Sequence, residues 1–277
     1  MPDSTPLRLL IIGAHPDDAE GRCGGLMTIY RQAGHVVKWI SVTNGDAGHH
    51  LISGPELAKI RDQESASATA VIGAEYEIWD AHDGQLEPTL EMRWQVIRAI
   101  RTFKPDLVLT HRNCDYHPDH RAVAQLVQDA SFSVTVPAIV PDTPALSKDP
   151  VVAYMADTFT RPTPLRADIC MNVDDYRHTI NEMFSCHVSQ AFEWLPFNRG
   201  VADTVPAEEE ERNKWLLESF MPHLYGDVAD AFRKELIANY GEDIGKDVKF
   251  AEVYEISEYA CPLDDEKRER FFWFLPD

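Results

Sequence analysis

The chain has 277 residues, 44% of them apolar, which is enough for one sizeable core. Acidic residues outnumber basic ones by 46 to 26, and the resulting net charge of -20 disfavours nucleic acid and anionic membranes as partners. We see no apolar stretch typical of a membrane span or signal peptide, and five scattered cysteines fit a reducing cytoplasm, so we expect a cytoplasmic protein without membrane insertion.

The first 135 residues alternate between strand and helix patterns. Short apolar runs predict strands at 7–13, 36–43, 75–79 and 105–110. Helical patterns lie near 20–34, 55–72, 90–103 and 119–131. This alternation predicts an α/β fold, with a Rossmann-like, mostly parallel sheet, right-handed crossovers and helices on both faces.

The second half of the chain is less regular. Residues 131–165 contain six prolines and predict a long loop or insertion. Further strands are predicted at 151–155, 169–173 and 249–256, and helices at 174–187 and 206–240, the latter interrupted near Pro222 and Gly226. We expect a single domain over 1–277, with a core at 7–190 and a C-terminal helical and strand elaboration at 191–277.

Two His-Pro-Asp segments carry the chemical signal. One begins at His15, just after the first predicted strand, and the other begins at His117, after the strand at 105–110. Ligands of open α/β sheets bind outside the carboxyl ends of the strands, so the two loops are expected to face one crevice. Pro and Asp also begin helices without any other function. Two such segments, each with one further potential ligand, favour a metal site.

The residues of these segments suit a catalytic zinc, which takes three protein ligands and keeps one position for water. We assign His15, Asp18 and His120 as ligands. Neighbouring side chains of a loop project in different directions, so Asp17 and Asp18 should have different tasks. Asp17 is therefore assigned as the general base, and His117 as an electrophilic group beside the metal.

The order of the motifs resembles the PIG-L (LmbE-like) zinc de-N-acetylase superfamily. The resemblance spans residues 7–130 and is carried by the segments 14–18, 24–25, 43–46, 61–64, 80–86 and 117–120. Weaker C-terminal signatures are seen at 187–190 and 251–254, and residues 131–165 and 191–247 are unplaced.

This resemblance implies an enzyme that removes acetyl from an N-acetylglucosamine-type amino sugar or its conjugate. It implies one Zn²⁺ per chain on His15, Asp18 and His120, with Asp17 as general base. His117, acting as an imidazolium, would assist the oxyanion or the leaving amine. The small-molecule amino sugar is the expected partner, and a homo-oligomer (trimer or hexamer) is the expected assembly.

Substrate contacts are predicted at three further positions. Arg61 matches the family arginine that contacts sugar hydroxyls. Asp83 is either a hydroxyl ligand or a turn residue, and His187 is either a site residue or a core histidine. Asp119 is expected to orient a metal-bound histidine from behind.

One departure from the family pattern concerns the oxyanion donor. Some sugar-conjugate deacetylases place a tyrosine two residues before the histidine at 117, where this chain has Asp115. Tyr116 is adjacent, and we expect it to point elsewhere. The aromatic residues Phe192, Trp194 and Phe197 form either a wall over the site or an oligomer contact.

Two other functions compete with deacetylation. A metal-dependent hydratase (lyase) of a small unsaturated acid uses the same fold and would need cations beyond Arg61, such as Arg112, Arg121 or Arg199. A non-catalytic binding protein is the second alternative. The complete set of ligands together with a base argues against it.

Overall fold

The computed structural model describes residues 5–276, so residues 1–4 and 277 of the predicted domain lie outside it. The strands are β1 Arg8–Gly13, β2 Val36–Thr43, β3 Glu75–Ala81, β4 Leu107–Thr110, β5 Val151–Met155, β6 Ile169–Asn172 and β7 Ala251–Ile256. The α-helices are α1 Asp18–Gln32, α2 Pro55–Ile72, α3 Leu90–Phe103, α4 Pro118–Ser133, α5 Arg177–Ser185, α6 Leu195–Asn198, α7 Glu209–Trp215, α8 Gly226–Ala231, α9 Arg233–Tyr240, α10 Glu242–Gly245 and α11 Asp265–Phe271. Single turns of 3₁₀ helix lie at Asp174–Tyr176, Ala202–Thr204 and Met221–His223, and π-helical turns at Ser189–Trp194 and Leu216–Phe220.

Seven strands form one sheet in the order β3-β2-β1-β4-β5-β7-β6. The first five are parallel, and β7 runs antiparallel to both β5 and β6. The predicted mostly parallel α/β fold is therefore confirmed. The strand from the C-terminal elaboration is inserted between β5 and β6, so it completes the sheet.

The two faces of the sheet bury separate clusters. Leu9 and Ile11 of β1 belong to the cluster that includes residues of α1 and α5, whereas Leu10 and Ile12 pack with residues of α3 and α4. All four side chains are fully buried. Alternate residues of a strand point to opposite faces, so a continuous apolar run is what a strand covered on both sides requires.

Helix α1 is kinked at Cys23, whose φ of -146° and ψ of 24° are not helical. At the kink, the buried Glu252 of β7 accepts hydrogen bonds from the backbone N–H groups of Gly25 (2.6 Å) and Leu26 (3.0 Å). A Cβ on Gly25 would lie 2.5 Å from a methyl carbon of Val173, so only glycine allows this approach. The kink lets α1 lie against the segment that follows β6.

The sequence predictions are least accurate after residue 173. The predicted helix at 174–187 begins as a 3₁₀ turn, and the helical pattern at 206–240 divides into short pieces. Residues 131–165 contain the end of α4 and the whole of β5, so they are a loop only in part. Within residues 5–276, no helix is both long and apolar enough to span a membrane.

Candidate metal centre and active site

The two His-Pro-Asp segments lie side by side at one edge of the sheet. Strands β1 and β4 are parallel neighbours, with Ile12 paired to Thr110. The loops that follow them therefore leave the sheet in the same direction and meet outside its carboxyl edge. The pocket at this edge has a volume of about 450 Å³ and is lined by both segments.

The three predicted ligands, His15, Asp18 and His120, lie close together in the pocket. His15 Nδ1 lies 3.3 Å from His120 Nε2, which is 3.4 Å from Asp18 Oδ1, and Asp18 Oδ2 lies 3.6 Å from His15 Nδ1. A tetrahedral zinc with bonds of about 2.0 to 2.1 Å holds its ligand atoms about 3.3 to 3.4 Å apart. Both distances from His120 Nε2 match this spacing, whereas the 3.6 Å contact of His15 is to the other carboxylate oxygen. Asp18 Oδ1 and the two histidine nitrogens therefore suit a single divalent ion.

Carboxylates behind the two histidines favour the same interpretation. The outer nitrogen of His15, Nε2, lies 3.1 Å from Asp83 Oδ1 and 3.3 Å from Asp119 Oδ2. His120 Nδ1 lies 3.1 Å from Asp115 Oδ2. If each outer nitrogen carries the proton, the inner nitrogens, His15 Nδ1 and His120 Nε2, have free lone pairs. These lone pairs and Asp18 Oδ1 face one another, and a bound cation would stabilise this arrangement.

The pKa values of this group reflect how closely it is packed. Burial alone would lower the pKa of His15, but hydrogen bonds to Asp119, Asp18 and Asp83 raise it well above its usual value. Burial would raise the pKa of Asp18, but His120 and His111 hold it well below its usual range. The carboxylate stays ionised, as a metal ligand must be.

His111 belongs to this cluster, although the sequence analysis did not select it. It follows β4 directly and is 3% exposed. Its Nε2 lies 3.1 Å from Asp18 Oδ2, and its ring stacks on His120 with centroids 3.9 Å apart. Burial lowers its pKa to about 4, so the imidazole is neutral. The sequence signal that could have identified His111 as a site residue is its position directly after a predicted strand, where ligands of such sheets bind.

Asp17 lies on the pocket wall next to Asp18 but has different partners. Its backbone has a φ of 116°, a strained region for a residue with a side chain. Asp17 Oδ2 is 3.1 Å from Arg61 Nη2. Burial raises the pKa of Asp17 to about 6, against the opposing effect of Arg61. A carboxyl group with this pKa, held in strain at a pocket, has the properties of a general base.

Arg61 comes from α2 and is 2% exposed, yet it lines the pocket. Besides Asp17, its guanidinium faces Glu64, with 3.8 Å between Nε and Oε2. Glu64 also accepts hydrogen bonds from the backbone N–H and hydroxyl of Ser189. Arg61 is thus fixed by its own helix and by the first π-helical turn.

His117 is the N-cap of α4, and its Nδ1 accepts a hydrogen bond of 3.2 Å from the backbone N–H of Asp119. The neutral ring therefore carries its proton on Nε2. Burial, followed by repulsion from His15 and His120, lowers the pKa of His117 below its usual value. These surroundings disfavour the predicted imidazolium and favour a neutral donor.

Asp119 is fully buried and accepts hydrogen bonds from the backbone N–H groups of Gly84 (2.6 Å) and Leu86 (3.2 Å). Its carboxylate also lies against His15, the position expected of an orienting residue. Asp83 reaches His15 as well, and it lines the pocket beside Gly84. Asp83 can therefore orient His15 and contact a ligand.

His187 does not reach the pocket. It is fully buried, and its Nε2 lies 2.9 Å from Glu20 Oε1. Its position corresponds to a core histidine and does not support a direct substrate contact.

Tyr116 does not have the position predicted for it. Its side chain lines the pocket and is 68% exposed, and its ring centroid lies 5.7 Å from that of His117. Trp194 lines the pocket too, as expected of a wall residue, whereas Phe192 is buried beneath the guanidinium of Arg212. Phe197 instead stacks on His50, with centroids 3.9 Å apart.

Comparisons with known proteins find similarity to de-N-acetylases. Residues 10–131 match the model of the PIG-L family, described as GlcNAc-PI de-N-acetylase. The matched residues include both His-Pro-Asp segments, so this part of the chain is similar to the PIG-L family. A diacetylchitobiose deacetylase of Thermococcus kodakarensis is 30% identical over 133 residues, covering 46% of this chain and 50% of the relative. The chain spans about half the length of the curated relatives it matches.

Solved structures share the fold of this chain over most of its length. N,N'-diacetylchitobiose deacetylase from Pyrococcus horikoshii aligns with a TM-score of 0.67 at 21% identity, covering 91% of this chain and 84% of that one. The 4-carboxy-2-hydroxymuconate hydratase of Pseudomonas putida gives the same TM-score at 17% identity, with 90% and 95% covered. A deacetylase and a hydratase match equally well, so the fold does not choose between the two activities.

Proposed function

We propose that this protein is a metal-dependent deacetylase that hydrolyses the acetamide of an N-acetylated amino sugar or its conjugate. The observation that carries the proposal is the convergence of His15, Asp18 and His120 at metal-ligand spacing beside Asp17. The name of the Thermococcus relative, diacetylchitobiose deacetylase, supports an N-acetylglucosamine unit as substrate.

We assign one Zn²⁺ per chain to this site. Two imidazoles and a carboxylate suit zinc, and a set of three protein ligands is typical of its catalytic sites. When bound, the ion would lower the pKa of a water molecule and polarise the acetamide carbonyl. Asp119, Asp83 and Asp115 would fix the ring orientations of the two histidines.

Asp17 is assigned as the group that accepts the proton of the attacking water. A pKa of about 6 leaves it ionised at neutral pH and still basic. Arg61 orients the carboxylate through the 3.1 Å contact and prevents its pKa from rising further. As a pocket-lining cation, Arg61 is also proposed to contact sugar hydroxyls.

His117 is assigned as a neutral donor to the developing oxyanion, through its Nε2 proton. A neutral imidazole does not readily release that proton. Asp17 is therefore the group we assign to return the proton to the departing amine.

The whole chain is proposed to act as one domain. The strand contributed by the C-terminal elaboration, β7, lies between β5 and β6, and Glu252 on this strand holds the kink of α1, which begins at the site. Loss of residues 251–256 is therefore expected to disturb the metal centre itself.

Acetate release by metal-stripped and Zn²⁺-reconstituted protein tests the proposal. The substrates are N-acetylglucosamine and N,N'-diacetylchitobiose, with hydration of an unsaturated dicarboxylate followed in parallel by absorbance. We expect acetate release that chelation abolishes and Zn²⁺ or Co²⁺ restores. Hydration of the dicarboxylate without acetate release would favour the hydratase (lyase) over the deacetylase. Full activity in metal-free protein would exclude both metal-dependent functions.

A further inference from the structure

Arg22 is the pocket-lining arginine that has no carboxylate partner among residues 5–276. Two arginines line the pocket, Arg22 and Arg61. Arg61 is neutralised by Asp17 at 3.1 Å. Arg22 donates one hydrogen bond, from Nη1 to the backbone oxygen of Ala156 (3.0 Å), and forms no ion pair with any of residues 5–276.

The three arginines considered in the sequence analysis are occupied elsewhere. Arg112 forms two hydrogen bonds with Asp157, of 2.6 and 2.8 Å, and is buried. Arg121 donates to the backbone oxygens of the loop before α4, and Arg199 lies over the ring of Phe220. None of these three lines the pocket.

We infer that Arg22 forms an anion subsite, and that the natural substrate carries a phosphate or a carboxylate besides its acetamide. This inference rests on the proposed deacetylase function. The bond to Ala156 fixes one side of the guanidinium just beyond the end of β5, at the carboxyl edge of the sheet. A guanidinium presents five N–H donors in a planar fork that matches both kinds of anion.

The separation of Arg22 from the proposed base suits a substituted sugar. Both residues line the pocket, and Arg22 lies five residues after Asp17, before the kink of α1. Their backbone positions are therefore about 7.5 Å apart along the helix axis, at 1.5 Å per residue, which is comparable to a pyranose ring with its exocyclic groups. A sugar with its acetamide at Asp17 would therefore bring a substituent on the far side of the ring towards Arg22.

The charges of the residues that line the pocket make the binding of an anion depend on the metal. Asp17, Asp18 and Asp83 line it together with the two arginines, so carboxylates exceed guanidiniums by one. A divalent ion reverses this balance. We therefore expect anionic ligands to bind the Zn²⁺-loaded protein and to bind metal-free protein much more weakly.

The test compares N-acetylglucosamine with two relatives that are anionic at C6, N-acetylglucosamine 6-phosphate and 2-acetamido-2-deoxyglucuronic acid, which separate phosphate from carboxylate. For the wild-type protein, kcat/KM should be at least about tenfold higher for one of the anionic substrates. Arg22→Gln should remove that preference, lowering kcat/KM for the anionic substrate about tenfold to a hundredfold, the range for losing a hydrogen bond to a charged group. Its activity on N-acetylglucosamine should change by less than about threefold.

Arg22→Lys retains the charge and should keep part of the preference. Arg199→Gln is the matched control, because it removes an arginine outside the pocket and should leave the preference unchanged. Calorimetric titration of Zn²⁺-loaded protein with the deacetylated product, glucosamine 6-phosphate, gives a second readout, in which Arg22→Gln should weaken binding by the same factor.

Equal kcat/KM for neutral and anionic substrates in the wild-type protein would overturn the subsite and leave the deacetylase intact, a result that needs no variant to fold. An anionic preference that persists in Arg22→Gln would also overturn it. Absence of acetate release from every substrate would instead refute the proposed function.

Discussion

Replacement of Asp17 by Asn separates the proposed base from the proposed ligands. The amide has nearly the shape of the carboxylate but cannot accept the proton of water. The zinc content should not change, because Asp17 is not one of the three converging groups. The catalytic rate should fall by about 10² to 10⁴, the usual contribution of a general base.

The cost to folding can be worked out from Arg61. Its guanidinium is 2% exposed and lies 3.1 Å from Asp17 Oδ2, so the variant loses a charge next to a buried cation. Asn still offers an oxygen as acceptor, Glu64 remains 3.8 Å away, and Asn tolerates positive φ better than most residues. We expect the free energy of unfolding to fall by about 1 to 2 kcal/mol. The protein therefore remains folded during the assay.

The measurement combines elemental analysis of bound zinc, urea unfolding and initial rates of acetate release. Asp203→Asn is the control, since Asp203 is exposed on the turn at Ala202–Thr204 and should alter none of the three. A variant of Asp17 that retains more than about a tenth of the wild-type rate would refute the assignment. Loss of zinc in this variant, with zinc retained in Asp18→Asn, would show that the two carboxylates exchange roles.

Three further substitutions test separate parts of the site. His117→Ala should lower kcat about 10²-fold to 10³-fold with zinc retained, and His117→Asn, which can still cap α4, should lose as much if the donor rather than the cap matters. Asp119→Asn should weaken zinc affinity about tenfold to a hundredfold in a competitive chelator titration, whereas unchanged affinity would show that Asp83 alone orients His15. Burial raises the pKa of Glu252 to about 7, so folding is stabilised below pH 4.5 and this contribution is lost as the pH rises through 7, by roughly 3 kcal/mol. In Glu252→Gln, urea unfolding between pH 5 and 8.5 should lack this decline, and an equally steep decline would assign it to another group.

The sheet and its two covering layers could be predicted because each parallel strand is an apolar run buried on both faces. Predicted bounds for the second strand, 36–43, and the second helix, 55–72, coincide with those of β2 and α2. Prediction was less accurate between residues 174 and 240, where short 3₁₀ and π-helical turns depend on tertiary contacts such as that between Glu64 and Ser189. Such contacts cannot be predicted from hydrophobic periodicity, which reports only local patterns of the sequence.

The metal cluster could be predicted because its residues sit in two local motifs, each placed by a strand end. Tyr116 and Arg22 could not, since the direction of each side chain depends on the loop conformation and on the α1 kink. Asp115 occupies the position of the tyrosine expected by resemblance, and its carboxylate contacts His120 while accepting the backbone N–H of His117. The aspartate at position 115 thus contacts the proposed ligand His120, while the adjacent Tyr116 lies on the pocket wall.

Asp18 connects the proposed ligands to the proposed base. Its Oδ2 accepts hydrogen bonds from the backbone N–H groups of Ala14 (2.9 Å) and His15 (2.7 Å), while Oδ1 faces His120. A positive φ at a residue other than glycine costs about 1 to 3 kcal/mol, and charge-assisted hydrogen bonds to the same loop can offset it. The carboxylate that we assign to zinc therefore also folds the loop that holds Asp17 in its strained conformation. Because both tasks depend on an ionised Asp18, the geometry of the base and the affinity for metal are coupled through one side chain.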